Sequence, residues 1–137
     1  MQGVVDFTGW TALTLGLAAL FAGIGALRQP GIWRTMVDEI IGSPTLQFLS
    51  GMMELVIAAL VYLSNPWIVT DPLSCFMKAM GGLMLIEALA ILGFCDIYSQ
   101  LWVKSLAAMN RGWAAFTALF GLALTVAGGL HLAGRAL

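Results

Sequence analysis

The stretch LQFLSGMMELVIAALVYL, residues 46–63, decides the fold of this chain. It contains one charged side chain, Glu54, and lacks the alternation of polar and apolar residues that is typical of a strand. An α-helix rises about 1.5 Å per residue, so a run of this length is long enough to cross the hydrocarbon core of a bilayer, which is about 30 Å thick. The stretch therefore predicts a membrane-spanning helix.

Three further stretches of the same kind lie at residues 8–27, 73–94 and 113–132. Over the whole chain 61% of the 137 residues are hydrophobic and 9% are charged, against about 25% charged in an average soluble domain. A soluble globule of this composition would leave long apolar runs in water. We therefore expect an all-α, polytopic membrane protein in which residues 1–137 form a single domain, a four-transmembrane-helix bundle in a lipid bilayer.

The connections between the predicted spans differ in kind. Residues 64–72 contain Asn-Pro and Asp-Pro pairs, which favour a tight turn. In residues 28–42, apolar side chains follow helical spacing and charged ones fall largely opposite, which predicts a short helix lying in the membrane interface. The third connection predicts a second such segment, with Ile97, Tyr98, Leu101, Trp102, Leu106 and Met109 against Asp96, Gln100, Lys104 and Arg111.

Basic residues predict the orientation, because Lys and Arg favour cytoplasmic loops. The first and third connections contain four of them, whereas the opposite side has Arg135 and, if its side chain reaches the interface, Lys78. This bias predicts that both termini lie outside and both surface segments in the cytoplasm. No basic residue precedes Arg28, so the first span is expected to be a retained helix rather than a cleaved signal peptide. The formal net charge of −1 argues against nucleic acid as a partner.

The two halves of the chain, residues 8–64 and 73–134, follow the same order of span, surface segment and span. The paired positions are Trp33 and Trp102, Gly42 and Gly112, and Gly51 and Gly121. This pattern is typical of a duplicated two-span unit. Such a duplication predicts a pseudo-two-fold axis along the membrane normal.

The stretch PGIWRTM at residues 30–36, followed by Pro44 and then Gly51 within an apolar helix, resembles the small bacterial two-span hairpins of the YjeT-like family. The second half, from LIEAL at residues 85–89 to Leu101 and Trp102, resembles the same pattern. It departs from the pattern at Cys95-Asp96, where a proline is expected. The resemblance implies a bacterial inner-membrane protein and no particular activity.

Glu54 and Glu87 are the first candidates for function, because an ionised carboxylate in hydrocarbon is costly and usually faces protein or water. If the second and third spans pack antiparallel, the two side chains can approach each other. The pair then binds a proton or cation during transport, or else each acid is hydrogen-bonded and stabilises helix association by about 1 kcal/mol. Gln47 and Ser50 share a helical face with Glu54 and are secondary polar candidates.

Lys78 and His131 are the remaining polar candidates. Lys78 lies nine residues before Glu87, on the opposite side of the same helix, so the two are not expected to pair. His131 lies near the end of the fourth span, where it is expected to meet headgroups or water. Its imidazole and the thioethers of Met52, Met53, Met77, Met80 and Met84 are ligands that suit Cu(I), but no pair has a diagnostic spacing, so neither a metal nor another cofactor is predicted.

Small residues form two stripes that predict packing seams between helices. We expect one of these stripes either to pack within the chain or to serve a homo-oligomer. The stripes are Ala12, Gly16, Ala19, Gly23 and Ala26 in the first span and Thr117, Gly121, Thr125 and Gly128 in the fourth.

Motifs of hydrolases and transferases, such as a Ser/His/Asp arrangement or a phosphate-binding glycine loop, are not found in the sequence. The sequence favours a structural or accessory membrane protein that associates with itself or with a larger membrane complex, rather than an enzyme. The alternative is a small proton- or cation-coupled transporter or channel that uses Glu54 and Glu87. Lipid recognition through the Trp-containing surface segments is a third possibility.

Overall fold

The computed structural model describes residues 6–98 and 110–134, and these residues form helices and short connections without a strand. Four of the helices are long and apolar enough to cross a membrane, which confirms the all-helical fold and the four predicted spans. Most of the second predicted surface segment lies outside the described residues. The helices are α1 (Phe7–Arg28), α2 (Ile32–Ile41), α3 (Pro44–Ser64), α4 (Pro72–Tyr98) and α5 (Asn110–Leu132).

Polar side chains fix where the long helices begin. The Asp6 side chain accepts a hydrogen bond from the Gly9 amide at 3.0 Å and caps α1. Ser43 caps α3 in the same way, and Pro44, at the first position of α3, has the backbone angle that a helix start requires. The side-chain caps therefore pair the amides of Gly9 and Leu46 at the starts of these two helices.

The helix α2 is the surface helix predicted between the first two spans. None of its residues is fully buried, and Arg34, Asp38 and Glu39 are exposed. It is preceded by Gly31, whose positive φ of 86° suits glycine. We call the side of the bundle that carries α2 the α2 side, and the opposite side, which carries Asp6 and the turn between α3 and α4, the terminal side.

The helix α4 extends beyond its predicted end. Phe94 has non-helical backbone angles (φ −137°, ψ 41°), and the chain resumes a helical path after it as far as Tyr98. Asp96 and Ile97, which the sequence assigned to a surface segment, therefore belong to the last turn of α4. The prediction was wrong here because helical spacing does not distinguish a surface helix from the end of a broken spanning helix.

The first and last helices, α1 and α5, form the closest pair in the bundle. A Cβ atom added to Gly16 would lie 2.5 Å from the Thr125 amide nitrogen, and one added to Gly128 would lie 2.5 Å from that of Leu13. The two small-residue stripes thus pack against each other within one chain. The alternative that one of these stripes serves a homo-oligomer is wrong, because their glycines are already buried.

The helices α3 and α4 form the second pair. A Cβ atom on Gly51 would meet the Leu92 side chain, and one on Gly81 would lie 2.8 Å from the Tyr62 amide nitrogen. These contacts fix the antiparallel register of the two helices.

The two pairs are joined by a small core on the terminal side of the bundle. There the rings of Phe76 in α4 and Phe120 in α5 are 6.1 Å apart. Five buried side chains make up the core: Ala12, Val61, Leu73, Met77 and Leu124.

Substitutions at two adjacent glycines in α5 test the close contact between α1 and α5. Gly128→Ala is expected to lower the free energy of unfolding by about 1 to 3 kcal/mol, because the added methyl group clashes with the α1 backbone. Gly129→Ala is the matched control: its Cβ would meet nothing within 4 Å, so better helix propensity leaves stability unchanged or slightly raised. Unfolding by SDS in mixed micelles measures both. If both substitutions changed the free energy of unfolding equally, the close α1–α5 contact at Gly128 would be contradicted.

Candidate functional site

Glu54 and Glu87 occupy the middle of the α3–α4 pair. Glu54 is ten residues from either end of α3, which places it about 15 Å from both ends. Glu87 is fifteen residues from the start of α4, or about 22 Å along its axis. Both acids therefore lie deep within spanning segments.

The register of the pair brings the two acids together. The contacts of Gly51 with Leu92 and of Gly81 with Tyr62 place Glu54 level with the turn of α4 that carries Glu87. The two carboxyl groups are in hydrogen-bonding contact with each other, which confirms that the side chains approach.

The acid pair lies at the surface of the chain rather than in its core. Glu87 is exposed and Glu54 is partly buried. The surrounding surface is apolar: Leu83 and Ile86, on the same side of α4, are 69% and 66% exposed. In a bilayer, the carboxyl pair thus lies within an apolar surface that otherwise suits contact with lipid or with another protein.

Gln47 and Ser50 lie between the acids and the α2 side, but both are engaged with the backbone. The Gln47 amide donates to the Ile41 carbonyl at 2.9 Å, and the Ser50 hydroxyl donates to the Gln47 carbonyl at 3.1 Å. Next to Gln47, a pocket of about 430 Å³ opens at the break in α4. It is lined by Pro44, Gln47, Phe48, Ile91, Leu92, Gly93, Cys95 and Asp96.

Lys78 does not pair with Glu87, as the helical spacing predicted. Its ammonium group donates to the Tyr62 carbonyl oxygen at 3.1 Å and lies 3.7 Å from the centre of the Tyr62 ring. Lys78 thus contributes to the α3–α4 contact through a hydrogen bond and a cation–π interaction.

His131 makes two contacts that were not predicted from the sequence. Its Nδ1 atom is 2.6 Å from a carboxylate oxygen of Asp6, and its Nε2 atom is 2.9 Å from one of Asp71. Only 19% of the side chain is exposed. The expectation that His131 meets headgroups or water was therefore wrong, because the fold places two carboxylates against it.

Two buried polar side chains extend this terminal cluster into the bundle. Asn65 is fully buried and donates to the Val61 carbonyl at 2.7 Å and to the Thr11 hydroxyl at 3.2 Å, which links α3 to α1. Ser74 is also fully buried and donates to the Pro66 carbonyl. Its backbone amide donates to Asp71 at 3.3 Å, so Asp71 caps α4 while it contacts His131.

The predicted topology carried a signal for this cluster. Asp6 precedes the first span, Asp71 lies in the turn before the third, and His131 ends the fourth, so four spans place all three on one side of the membrane. The sequence thus predicts that these residues lie on the same side of the membrane. It does not predict that they contact one another, because it does not show that the first and last helices pair.

Within the described residues, the methionine thioethers and the His131 imidazole do not lie together as ligands of a soft metal would. Met77 is fully buried in the core, whereas Met52 and Met53 are exposed on α3. His131 is bound on both ring nitrogens, and its two carboxylate partners lie on opposite edges of the ring, so they do not converge on one ion.

The geometry thus offers two polar centres, a carboxyl pair at mid-depth and a histidine between two aspartates on the terminal side. No protein-family model, curated protein or solved structure matches the chain.

Proposed function

We propose that this chain is a structural or accessory integral membrane protein, and that it assembles with itself or with a larger membrane complex through the face of α3 and α4 that carries Glu54 and Glu87. The observation that carries this proposal is the position of the acid pair, deep within the spans yet at the surface of the chain.

An acid exposed to hydrocarbon is energetically costly. A carboxylate at the centre of a spanning helix costs about 2.5 to 3.5 kcal/mol on insertion scales. The hydrogen bond between Glu54 and Glu87 offsets part of this cost, but Glu87 keeps polar surface exposed. A second protein that covers the pair and donates one further hydrogen bond gains about 0.6 to 2 kcal/mol.

The side chains around the acids supply the rest of the contact surface. Leu83, Ile86 and Met53 are large, apolar and more than 60% exposed. The glycines of the α1–α5 seam are buried within the chain, so they contribute nothing to an external contact. The assembly face therefore combines large apolar side chains with one central polar anchor.

Proton or cation transport is the second candidate. The specific observation in its favour is the close approach of the two carboxyl groups at mid-depth, an arrangement that suits a shared proton or a bound cation. The pocket beside Gln47 and Asp96 lies on the same helix pair, nearer the α2 side, and offers an approach from that surface.

We also propose the bacterial inner membrane as the location, with both termini outside. The positions of Arg28 and Arg34 at the α2 side support this orientation, since basic residues favour the cytoplasm.

Substitutions at Glu87 test the assembly. Glu87→Leu is expected to weaken association about tenfold, or about 1.4 kcal/mol, because it removes the polar anchor. Glu87→Gln keeps a hydrogen-bonding group and is expected to retain association. Leu119→Ala, at a similarly exposed position on α5, serves as the control for lost apolar surface. The measurement is particle mass after extraction from native membranes into polymer nanodiscs. If every wild-type particle contained one copy of the chain and no other protein, the proposal would be overturned.

Flux in proteoliposomes tests transport. If the acids move a proton or cation, wild-type protein produces flux, and Glu54→Gln and Glu87→Gln each reduce it to the level of empty vesicles. Asp38→Asn is the matched control, because it removes an exposed acid from α2, away from the pair. Absence of flux from well-folded wild-type protein excludes this candidate, and flux that survives both Glu substitutions excludes the role of the acids.

Reporter fusions test the orientation. Alkaline phosphatase, which is active only outside, is expected to be active when fused to the carboxyl terminus and inactive when inserted after Gly42. Green fluorescent protein should show the reverse pattern. Activity of the phosphatase only at the internal position would mean that the termini are cytoplasmic.

A further inference from the structure

The cluster of Asp6, Asp71 and His131 connects three elements on the terminal side. His131 lies in the last turn of α5, Asp6 immediately precedes α1, and Asp71 immediately precedes α4. Because α1 and α5 belong to one helix pair and α4 to the other, the contact between His131 and Asp71 joins the pairs. Asp6 and Asp71 are the ionisable groups that contact His131 within the described part of the chain.

The protonation state of His131 determines how many of these contacts form. The charged ring donates from both nitrogens, whereas the neutral ring donates from one and carries a lone pair on the other. With both aspartates ionised, only the charged ring makes two favourable contacts. Loss of the proton to water leaves one carboxylate facing a lone pair, so one contact is lost.

The surroundings decide which contact is lost. The contact of His131 with Asp6 is the shorter, at 2.6 Å, and it lies within the α1–α5 pair, where Gly9 and Gly128 keep the helices close. The contact with Asp71, at 2.9 Å, lies between the pairs. Each aspartate also caps its own helix, through the amides of Gly9 and Ser74, so the helix ends stay folded when the contact to His131 is lost.

We propose that His131 is a pH-sensitive latch: with a charged ring it holds α4, and with it the α3–α4 pair, against α1 and α5 on the terminal side, and on deprotonation it releases Asp71. This inference is independent of the assembly proposed above. The latch is closed while the His131 ring is charged, and it opens at higher pH as the ring loses its proton.

The remaining contacts between the pairs limit the movement. Asn65 bonds to Thr11, and the Phe76 and Phe120 rings pack together deeper in the bundle, and none of these groups titrates. Opening the latch therefore separates the turn before α4 from the end of α5 while the core stays closed.

The test is a distance measurement across the latch in the full chain, reconstituted in lipid. Spin labels replace Val69, in the exposed turn between α3 and α4, and Ala133, just after α5, with Cys75 and Cys95 changed to serine. Electron–electron double resonance then gives the label separation from about pH 5.5 to about pH 10, a range that spans the titration of histidine. We expect the main distance to shift to larger values along a one-proton transition as the pH rises.

Variants identify the side chains that cause the pH-dependent change in label separation. His131→Gln removes the titrating ring, and Asp71→Asn removes the carboxylate between the pairs while the contact of His131 with Asp6 remains. Both are expected to abolish the pH-dependent shift, whereas Asp38→Asn on the α2 side keeps it. His131→Arg, with a permanent charge and several donors, is expected to stay closed at every pH. A wild-type distance that does not change with pH would overturn the latch, as would an unchanged shift in either His131→Gln or Asp71→Asn.

Discussion

The contact between α1 and α5 depends on how closely their backbones approach. Lipid chains are as apolar as leucine, so hydrophobicity does not select protein contact over lipid contact within a bilayer. Gly16 and Gly128 remove the side chains that would keep the two backbones apart. The contact joins the first and last helices of the chain, and it thereby brings Asp6 beside His131 and leaves α3 and α4 to form the second pair.

The division into two pairs separates the polar groups by depth. On the terminal side, Asp6, Asp71 and His131 satisfy one another, and Asn65 and Ser74 extend the hydrogen bonding into the bundle. At mid-depth, Glu54 and Glu87 contact each other, but Glu87 remains exposed. In the first centre, both ring nitrogens of His131 have a partner within the chain. At the second centre, Glu87 is exposed at the surface of the chain, and both the proposed assembly and the alternative of transport are built on this exposure.

Much of the fold could be predicted from the sequence, because a bilayer imposes length and composition on each span. The four spans, the surface helix α2 and the approach of Glu54 to Glu87 all follow from runs of apolar residues and helical spacing. The partner of each small-residue stripe could not be predicted, since composition does not say which stripes meet. The contacts of His131 were missed for the same reason, and the break at Phe94 has no proline or glycine pair at that residue to signal it.

The predicted duplication bears on the role of the acids. Exchange of the two halves would match α1 with α4 and α3 with α5, so the α1–α5 pair would correspond to the α3–α4 pair. Gly51 and Gly121, matched in sequence, both lie in the seam of their own pair. The same spacing matches Glu54 with Leu124 and Glu87 with Leu17, so the α1–α5 pair has leucines where α3 and α4 have acids. The α1–α5 pair thus packs closely through its glycines without an acid pair, so close helix packing does not by itself require Glu54 and Glu87.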